Sequence, residues 1–333
     1  MPERVHKCPN CGAVVDASRF ARVATCAYCN ATVHLDEAVV SAARFRASHA
    51  AWRNSDPPLG AETVVAGGEA WIRLAPVARG EISDVFQVVR QRWPGERALL
   101  KVLRNRDDAP LFEQEWRALT RLAECDGPGL PILRNRLPQP IVCEPHPSSG
   151  WPRMLLGWSP GFEHTFEDVR GALPSGVEAR AAVWMWRRVL EILSAVHRNG
   201  LVHGAVLPQH LLVERGEHGV RLVGFSCANE PDAALLAVCL PYERFYPRAM
   251  LDGARLRPEY DVAMSARAIL FVLGARDDGR LPSGVPAPLA ALLESAADGR
   301  GELDAWALRE RVGAVGRQVF GRPTFCPLEI ASM

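Results

Sequence analysis

The 333-residue sequence has almost no net charge and no long apolar run. Its 39 lysine and arginine residues are balanced by 38 aspartate and glutamate residues, for a formal net charge of +1. Bulk electrostatics therefore gives no reason to expect nucleic acid or an anionic membrane as the partner. No segment approaches the roughly 18 consecutive apolar residues of a membrane-spanning helix, and the first ten residues lack the apolar core of a signal peptide. These absences favour a soluble, cytoplasmic protein.

Disulfide-type cysteine spacing is also missing. Five of the nine cysteines are scattered singly, and the other four form two C-x2-C pairs, CPNC and CAYC, with fourteen residues between them. This usage is typical of a reducing compartment with one metal site rather than of a disulfide framework. The single cysteines are Cys125, Cys143, Cys227, Cys239 and Cys326, and the paired ones are Cys8, Cys11, Cys26 and Cys29.

The two cysteine pairs predict a structural zinc site. Two C-x2-C turns can close a tetrahedral shell of four thiolates, and the metal then supplies folding free energy to a segment too small for a core. Residues 13–15 and 22–24 are predicted to form the two strands of one hairpin. Residues 1–35 thus resemble a zinc ribbon with the four paired cysteines as ligands. A redox dithiol is the alternative for any C-x2-C pair, and the small basic excess favours protein docking over nucleic-acid binding.

A connecting segment and a larger domain follow the ribbon. Residues 36–54 mix apolar and arginine side chains at loosely helical spacing, and DPPLG at 56–60 breaks the pattern, so we expect a helix and linker over residues 36–70. Short strand-like segments and then long amphipathic helices come next, which predicts an α+β fold. Strands are predicted at 84–89, 98–103, 141–143, 153–156 and 211–213, and helices at 111–122, 177–199, 289–297 and 303–319.

The helix predicted at 111–122 carries a carboxylate, Glu115, within its apolar stripe. A buried carboxylate is costly unless it is paired, and Lys101 lies fourteen residues earlier in the strand ALLKVL. That strand resembles the V-A-I-K strand of protein kinases, and Glu115 matches the helix glutamate that pairs with the kinase lysine. The resemblance implies an ion pair between Lys101 and Glu115.

Three further segments resemble protein kinase motifs in the same order along the chain. Residues 78–85, ARGEISDV, match the glycine-rich loop G-x-G-x-x-G-x-V. Residues 203–210, HGAVLPQH, match the catalytic loop H-R-D-L-K-P-x-N, and residues 224–226, GFS, lie where kinases have D-F-G. An unrelated α+β domain would need several independent spacings to coincide.

The resemblance implies a bilobal kinase-like domain after the ribbon. Its β-rich small lobe would span residues 71–157, and its abbreviated, α-helical large lobe residues 158–333. Asp261 matches the aspartate that begins the central helix of the large lobe in kinases.

The residues that perform phosphoryl transfer in kinases are replaced here. Ala205 stands for the catalytic aspartate, while His210 and Gly224 stand for the asparagine and the aspartate that hold magnesium. Their loss excludes the usual kinase mechanism, and we do not expect magnesium to bind. His210 is either a ligand for a softer metal or a hydrogen-bonded structural residue.

The kinase motif positions that are retained leave open whether the protein binds ATP. Of the glycine-rich loop only Gly80 and Val85 are retained, and Glu81 and Asp84 would bring negative charge near the phosphates unless both carboxylates point outward. The resemblance assigns nucleotide contacts to Gly80, Ser83, Val85, Lys101 and Glu115.

The resemblance and these losses together predict a catalytically inactive pseudokinase. It would act as a scaffold or allosteric regulator of another protein, such as an active kinase or phosphatase, with the zinc ribbon as docking element. Usage rich in alanine, arginine and glycine favours a bacterial source. The alternative is a nucleotide-binding sensor or an atypical nucleotide-dependent transferase that uses Lys101.

Overall fold

The computed structural model describes residues 6–8, 13–15, 23–27, 32–35, 61–93, 95–214, 219–276, 280–324, 328 and 330. The helix predicted over residues 36–54 lies outside these residues, as do Cys11 and Cys29 of the predicted zinc site. No helix within the described ranges is both long and apolar enough to cross a membrane.

Two short antiparallel hairpins form the described part of the N-terminal segment. β1 (His6–Lys7) pairs with β2 (Val14–Val15), and β3 (Val23–Thr25) pairs with β4 (Thr32–His34). The strands predicted at 13–15 and 22–24 therefore exist, but their predicted pairing with each other is wrong. Each C-x2-C segment lies in sequence between the two strands of one hairpin. β2 and β3 therefore do not pair with each other, and each pairs with the strand on the far side of its own cysteine pair.

A six-stranded antiparallel sheet begins the larger domain, in the order β5-β6-β7-β8-β10-β9. The turn between its first two strands is made by Gly67 and Gly68, whose φ angles of 60° and 75° suit a two-residue hairpin. The sheet therefore begins before Trp71, and residues 63–70, which the sequence pattern assigned to the linker, belong to it. The strands are β5 (Thr63–Ala66), β6 (Glu69–Arg79), β7 (Ser83–Arg90), β8 (Arg97–Leu103), β9 (Pro140–Pro145) and β10 (Pro152–Gly157).

One buried arginine joins the two edge strands of this curled sheet. Arg153 of β10 is 3% exposed, and its guanidinium donates hydrogen bonds to Glu144 Oε1 of β9 at 2.6 Å and to the backbone carbonyl of Val65 in β5. The backbone N–H of Gly67 also donates to Glu144 Oε2, at 3.2 Å. The unpaired backbone groups of an edge strand are thus partly satisfied within the chain.

Helices and a small three-stranded sheet complete the mixed architecture and position the site. Trp186 of α4 is fully buried, and its indole N–H donates to Ser265 Oγ of α6 at 3.1 Å. All four helices predicted from apolar periodicity are confirmed within a few residues. The helices are α1 (Ala109–Glu124), α2 (Leu130–Leu133), α3 (Phe166–Ala172), α4 (Ala179–Arg198), α5 (Arg248–Leu251), α6 (Pro258–Val272), α7 (Ala287–Ala297) and α8 (Ala305–Phe320). The small sheet contains β11 (His164–Thr165), β12 (Leu211–Glu214) and β13 (Gly219–Leu222).

Candidate functional site

A buried ion pair joins the curled sheet to helix α1. Lys101 Nζ lies 2.5 Å from Glu115 Oε2, and the two side chains are 11% and 2% exposed. Glu115 belongs to the face of α1 that also buries Phe112 and Leu119, so the helix period brings the carboxylate to the lysine. The predicted pairing of Lys101 with Glu115 is confirmed.

The composition carries a second signal at Lys101. Of the 39 basic side chains in the sequence only two are lysines, Lys7 and Lys101, and all the others are arginines. A compact ammonium can approach a single carboxylate oxygen in a narrow buried space, whereas the planar guanidinium needs room for its fork. An arginine-rich chain that retains lysine here indicates a specific steric requirement, which motif spacing alone did not reveal.

The predicted nucleotide contacts come together at one end of the sheet. The N–H of Gly80 donates to the carbonyl of Ser83 at 2.8 Å, which closes the turn between β6 and β7. Ser83 is buried, and Val85 is the cross-strand neighbour of Lys101. The structure thus brings the four residues Gly80, Ser83, Val85 and Lys101 to the same end of the sheet, where Glu115 of α1 contacts Lys101.

The two carboxylates of this turn have different electrostatic neighbours. Asp84 lies 3.8 Å from Arg79 and 3.9 Å from Arg104, so nearby arginines offset its charge. Burial, together with the Glu81 carboxylate, raises the pKa of Cys239 to about 12. Sequence spacing gave no indication that Glu81 acts on Cys239, since the two residues are far apart in the chain.

A single carboxylate fixes the shape of the loop at 203–210. Asp261, in the first turn of α6, is fully buried. Its Oδ2 accepts hydrogen bonds from the backbone N–H of His203 at 2.7 Å and from His197 Nε2 at 2.9 Å, and its Oδ1 accepts from the N–H of Gly204 at 2.8 Å. Gly204 has a φ of 72°, and a Cβ there would lie 3.0 Å from the carbonyl oxygen of Cys227. This position therefore requires glycine.

His203 is a neutral structural residue. Its Nδ1 accepts a hydrogen bond from the N–H of Ala205 at 3.2 Å, so its Nε2 carries the proton and donates to the carbonyl of Val223 at 3.1 Å. The ring packs edge-on against Phe225 with centroids 4.5 Å apart. Burial lowers the pKa of His203 from 6.5 to about 4.

The imidazole of His210 fills the space beside Gly224. His210 Nδ1 donates to the carbonyl of Ala205 at 2.8 Å, and burial lowers the pKa of the ring. A Cβ at Gly224, whose φ is 78°, would lie 2.5 Å from Cδ2 and 2.6 Å from Nε2 of this ring, distances that real contacts do not reach. His210 and Gly224 therefore form a steric interlock, in which the ring takes the place of any side chain at position 224.

The two N-terminal hairpins share one small core. Cys8, 1% exposed, and Cys26, fully buried, lie in it together with Val15 and Val33. One cysteine of each pair is thus brought to the same place, as a shared metal site requires. Within the described residues there is no group of three or more potential metal ligands, and the partners predicted for this site, Cys11 and Cys29, lie outside those residues.

Comparisons with known proteins identify the fold. No protein-family model matches the sequence, and no curated protein matches it. Among solved structures, it is similar to the crystal structure of a rhoptry kinase from Toxoplasma gondii, with a TM-score of 0.54 and 17% sequence identity over 77% of this chain and 84% of that one. The chain has a protein kinase-like fold. At this identity the similarity shows the fold alone and assigns no activity.

The sequence motifs align Gly224 with the aspartate of D-F-G and His210 with the metal-binding asparagine of the catalytic loop. By that alignment, the interlock is predicted to lie at the position of the magnesium ligands. Of the two roles left open for His210, the hydrogen-bonded structural one fits the geometry, because its Nδ1 is committed to Ala205 and the ring packs over Gly224.

The buried neutral His203 predicts that the protein loses stability in mild acid. Its folded pKa of about 4 lies below the ordinary value of 6.5, so between these pH values the unfolded chain binds a proton that the folded chain does not. The contribution of His203 to the free energy of unfolding is complete above pH 6.5, and it falls by up to about 3 kcal/mol as the pH drops to 4. Urea denaturation at several pH values measures this.

His203→Asn should flatten the profile between pH 6.5 and 4, whereas His146→Asn, in the turn after β9, should not. An unchanged profile in His203→Asn contradicts the assignment.

Proposed function

We propose that this kinase-like domain is a pseudokinase that acts through protein contacts, as a scaffold or as an allosteric regulator. The observation that carries the proposal is the interlock of His210 with Gly224. An active site that had lost only a ligand would leave a space in which water or a substituted side chain could bind a metal. Here the space is filled by a neutral ring with its own hydrogen bond.

The chemistry of phosphoryl transfer supports an inactive site. The reaction depends on metal ions that bridge the phosphates and on a group that orients or deprotonates the acceptor. At the position of that group Ala205 offers only a methyl group.

The retained contacts support a role that depends on shape. The Lys101–Glu115 pair ties α1 to the sheet, and Asp261 holds the backbone of the catalytic loop. Both involve buried charges, whose partial loss typically costs several kcal/mol. A bilobal domain with this internal order, its small lobe extended from the predicted 71–157 to include β5 and its large lobe at 158–333, would present a defined surface to a partner without catalysis.

The test of this proposal is thermal unfolding with ATP, with and without magnesium. We expect millimolar ATP with magnesium to leave the melting temperature unchanged, because a ligand stabilises only the state that binds it. Stabilisation by ATP that requires a divalent ion would contradict the filled metal position. Stabilisation by ATP alone, abolished in Lys101→Ala, would favour the alternative of a nucleotide sensor or transferase.

We also propose that residues 1–35 form a zinc ribbon that docks a protein partner. The burial of Cys8 and Cys26 in one core supports this, because thiolates of both pairs must converge on the ion. The partner class, an active kinase or phosphatase, rests on the kinase-like fold and on the near-neutral charge, which gives no support to nucleic acid or a membrane as partner. A cytoplasmic location remains a prediction.

The zinc proposal predicts one tightly bound zinc ion per chain. Elemental analysis of the purified protein should give a zinc-to-protein ratio near one, and Cys8→Ser or Cys26→Ser should lower it to near zero, because three thiolates leave an open shell. Cys125→Ser, in the larger domain, is the matched control and should keep the metal. A zinc-free native preparation, or full zinc content in Cys26→Ser, would overturn the ribbon.

A further inference from the structure

The second N-terminal hairpin contacts the segment that follows α8. The guanidinium of Arg322 donates a hydrogen bond to the backbone carbonyl of Ala27 at 2.5 Å. Ala27 lies within the second cysteine pair, CAYC, directly after the fully buried Cys26. The two partners are 295 positions apart in the sequence, so the contact joins the predicted zinc ribbon to the helical part of the fold.

Helix α4 fixes the backbone on both sides of Arg322. Gly321 ends α8 with a φ of 74°, a conformation that favours glycine. Arg180 of α4 donates to Thr324 Oγ1 at 2.5 Å and to the carbonyl of Phe320 at 3.4 Å. The same guanidinium lies 5.3 Å from the centroid of the Phe320 ring, as in a cation–π contact.

The chain is anchored again beyond Thr324. Leu328 and Ile330 are 6% and 5% exposed, and both belong to the main hydrophobic core. Because the backbone before and after Arg322 is already held, the contact with Ala27 requires the ordering of little more than one side chain. The end of α8 therefore presents Arg322 as a preorganised hydrogen-bond donor.

On the ribbon side, the position of the Ala27 carbonyl follows from that of Cys26. Cys26 comes directly after β3 and packs with Cys8 in the small core of the two hairpins. In the proposed zinc site Cys26 and Cys29 are both ligands, and coordination closes the turn that contains Ala27. Four thiolates around Zn²⁺ carry a net charge of about −2. A guanidinium beside this turn thus complements the metal-loaded form.

We propose that the ribbon is docked on the end of α8 through its second cysteine pair, and that the Arg322–Ala27 contact couples metal binding to the order of residues 320–324. The inference rests on the zinc ribbon proposed above, and it adds where the ribbon is attached and which segment responds to its metal. By linkage, Arg322 stabilises the bound metal by as much as the metal stabilises this segment. A partner that binds the ribbon would therefore bind a surface attached to α4 and α8.

Amide hydrogen exchange in the purified full-length protein tests the docking. Arg322→Ala should accelerate exchange in β3 and β4 at least ~threefold, because the contact holds the turn between these strands. Arg317→Ala is the matched control, since Arg317 is an exposed arginine in the last turn of α8, and it should leave this exchange unchanged. Arg322→Gln keeps a donor without the charge and should give an intermediate rate. Unchanged exchange in β3 and β4 of Arg322→Ala overturns the docking.

Removal of zinc with a chelator tests the coupling. In the unsubstituted protein it should accelerate exchange in residues 318–324 at least ~threefold, whereas Arg322→Ala, in which this exchange is already fast, should show no further change. Zinc transfer to a colorimetric chelator should also be at least ~threefold faster from Arg322→Ala than from Arg317→Ala.

The outcomes separate this inference from the zinc proposal. Exchange in residues 318–324 that ignores the removal of bound zinc overturns the coupling, even though the ribbon stands. A native preparation without zinc overturns the ribbon itself, and the exchange of β3 and β4 in Arg322→Ala then still decides whether the hairpin is docked on α8.

Discussion

Replacing Gly224 by aspartate, the residue of active kinases, is expected to destabilise the protein by about 2–5 kcal/mol and to restore no metal site. An L-residue at a φ of 78° costs about 1–2 kcal/mol. Forcing a side chain into the space of the His210 ring adds an overpacking cost of about 1–3 kcal/mol. The ring cannot turn away without breaking its hydrogen bond to Ala205. Urea denaturation measures the loss.

Gly253→Asp is the matched control for this variant. Gly253 also has a positive φ, 87°, but no atom lies within 4 Å of a Cβ built there. Gly253→Asp should lower the free energy of unfolding only by the cost of an L-residue at a positive φ, about 1–2 kcal/mol. Combining Gly224→Asp with His210→Asn, which shortens the obstructing side chain, should recover at least half of the loss. Equal destabilisation by Gly224→Asp and Gly253→Asp would show that the ring moves freely and that the interlock does not exist.

Replacing Asp261 by asparagine should cost about 3–5 kcal/mol, although the side chain keeps its shape. The carboxylate accepts three hydrogen bonds, two of them from backbone N–H groups of the catalytic loop. An amide can accept at only one end, so its NH2 group would face a donor of His203 or Gly204. Each buried donor left without an acceptor is costly. The free energy of unfolding in urea gives the size of the effect.

A local measurement separates this effect from a general loss of stability. Amide hydrogen exchange at His203 and Gly204 should accelerate more in Asp261→Asn than exchange in β8, which does not touch the carboxylate. Asp252→Asn is the matched control, because Asp252 is exposed and pairs with Arg248 at the end of α5. It should change stability by less than about 0.5 kcal/mol. A loss of under about 1 kcal/mol in Asp261→Asn would mean that the loop does not depend on this carboxylate.

The contacts that the sequence predicts follow from the helical spacing of apolar residues and from the cost of burying an unpaired charge. Glu115 interrupts an apolar stripe, so the helix had to bring it to a cation, and Lys101 was the candidate at the motif spacing. The long helices follow from the same apolar period. Gly67-Gly68 was a readable hairpin signal for β5 as well, but the linker pattern before it obscured a strand of only four residues.

The contacts that the sequence does not predict depend on side-chain direction in three dimensions. His210 fills the space over Gly224 because its Nδ1 finds the Ala205 carbonyl, and no sequence spacing specifies that rotamer. The sequence predicted one N-terminal hairpin where the structure has two, because a strand pattern does not specify which strand it pairs with. Arg153 contacts both edge strands of the sheet, and the sequence pattern does not specify those neighbours.

The scarcity of lysine gives the protein two natural spectroscopic reporters. Protein grown with 15N-labelled lysine as its only isotope would give two backbone amide signals, from Lys7 in β1 and Lys101 in β8. One reports on the hairpin beside the cysteines and the other on the wall of the cleft. Removing zinc, adding a nucleotide or binding a partner could then each be followed at a single resonance in a 333-residue protein, without any mutation.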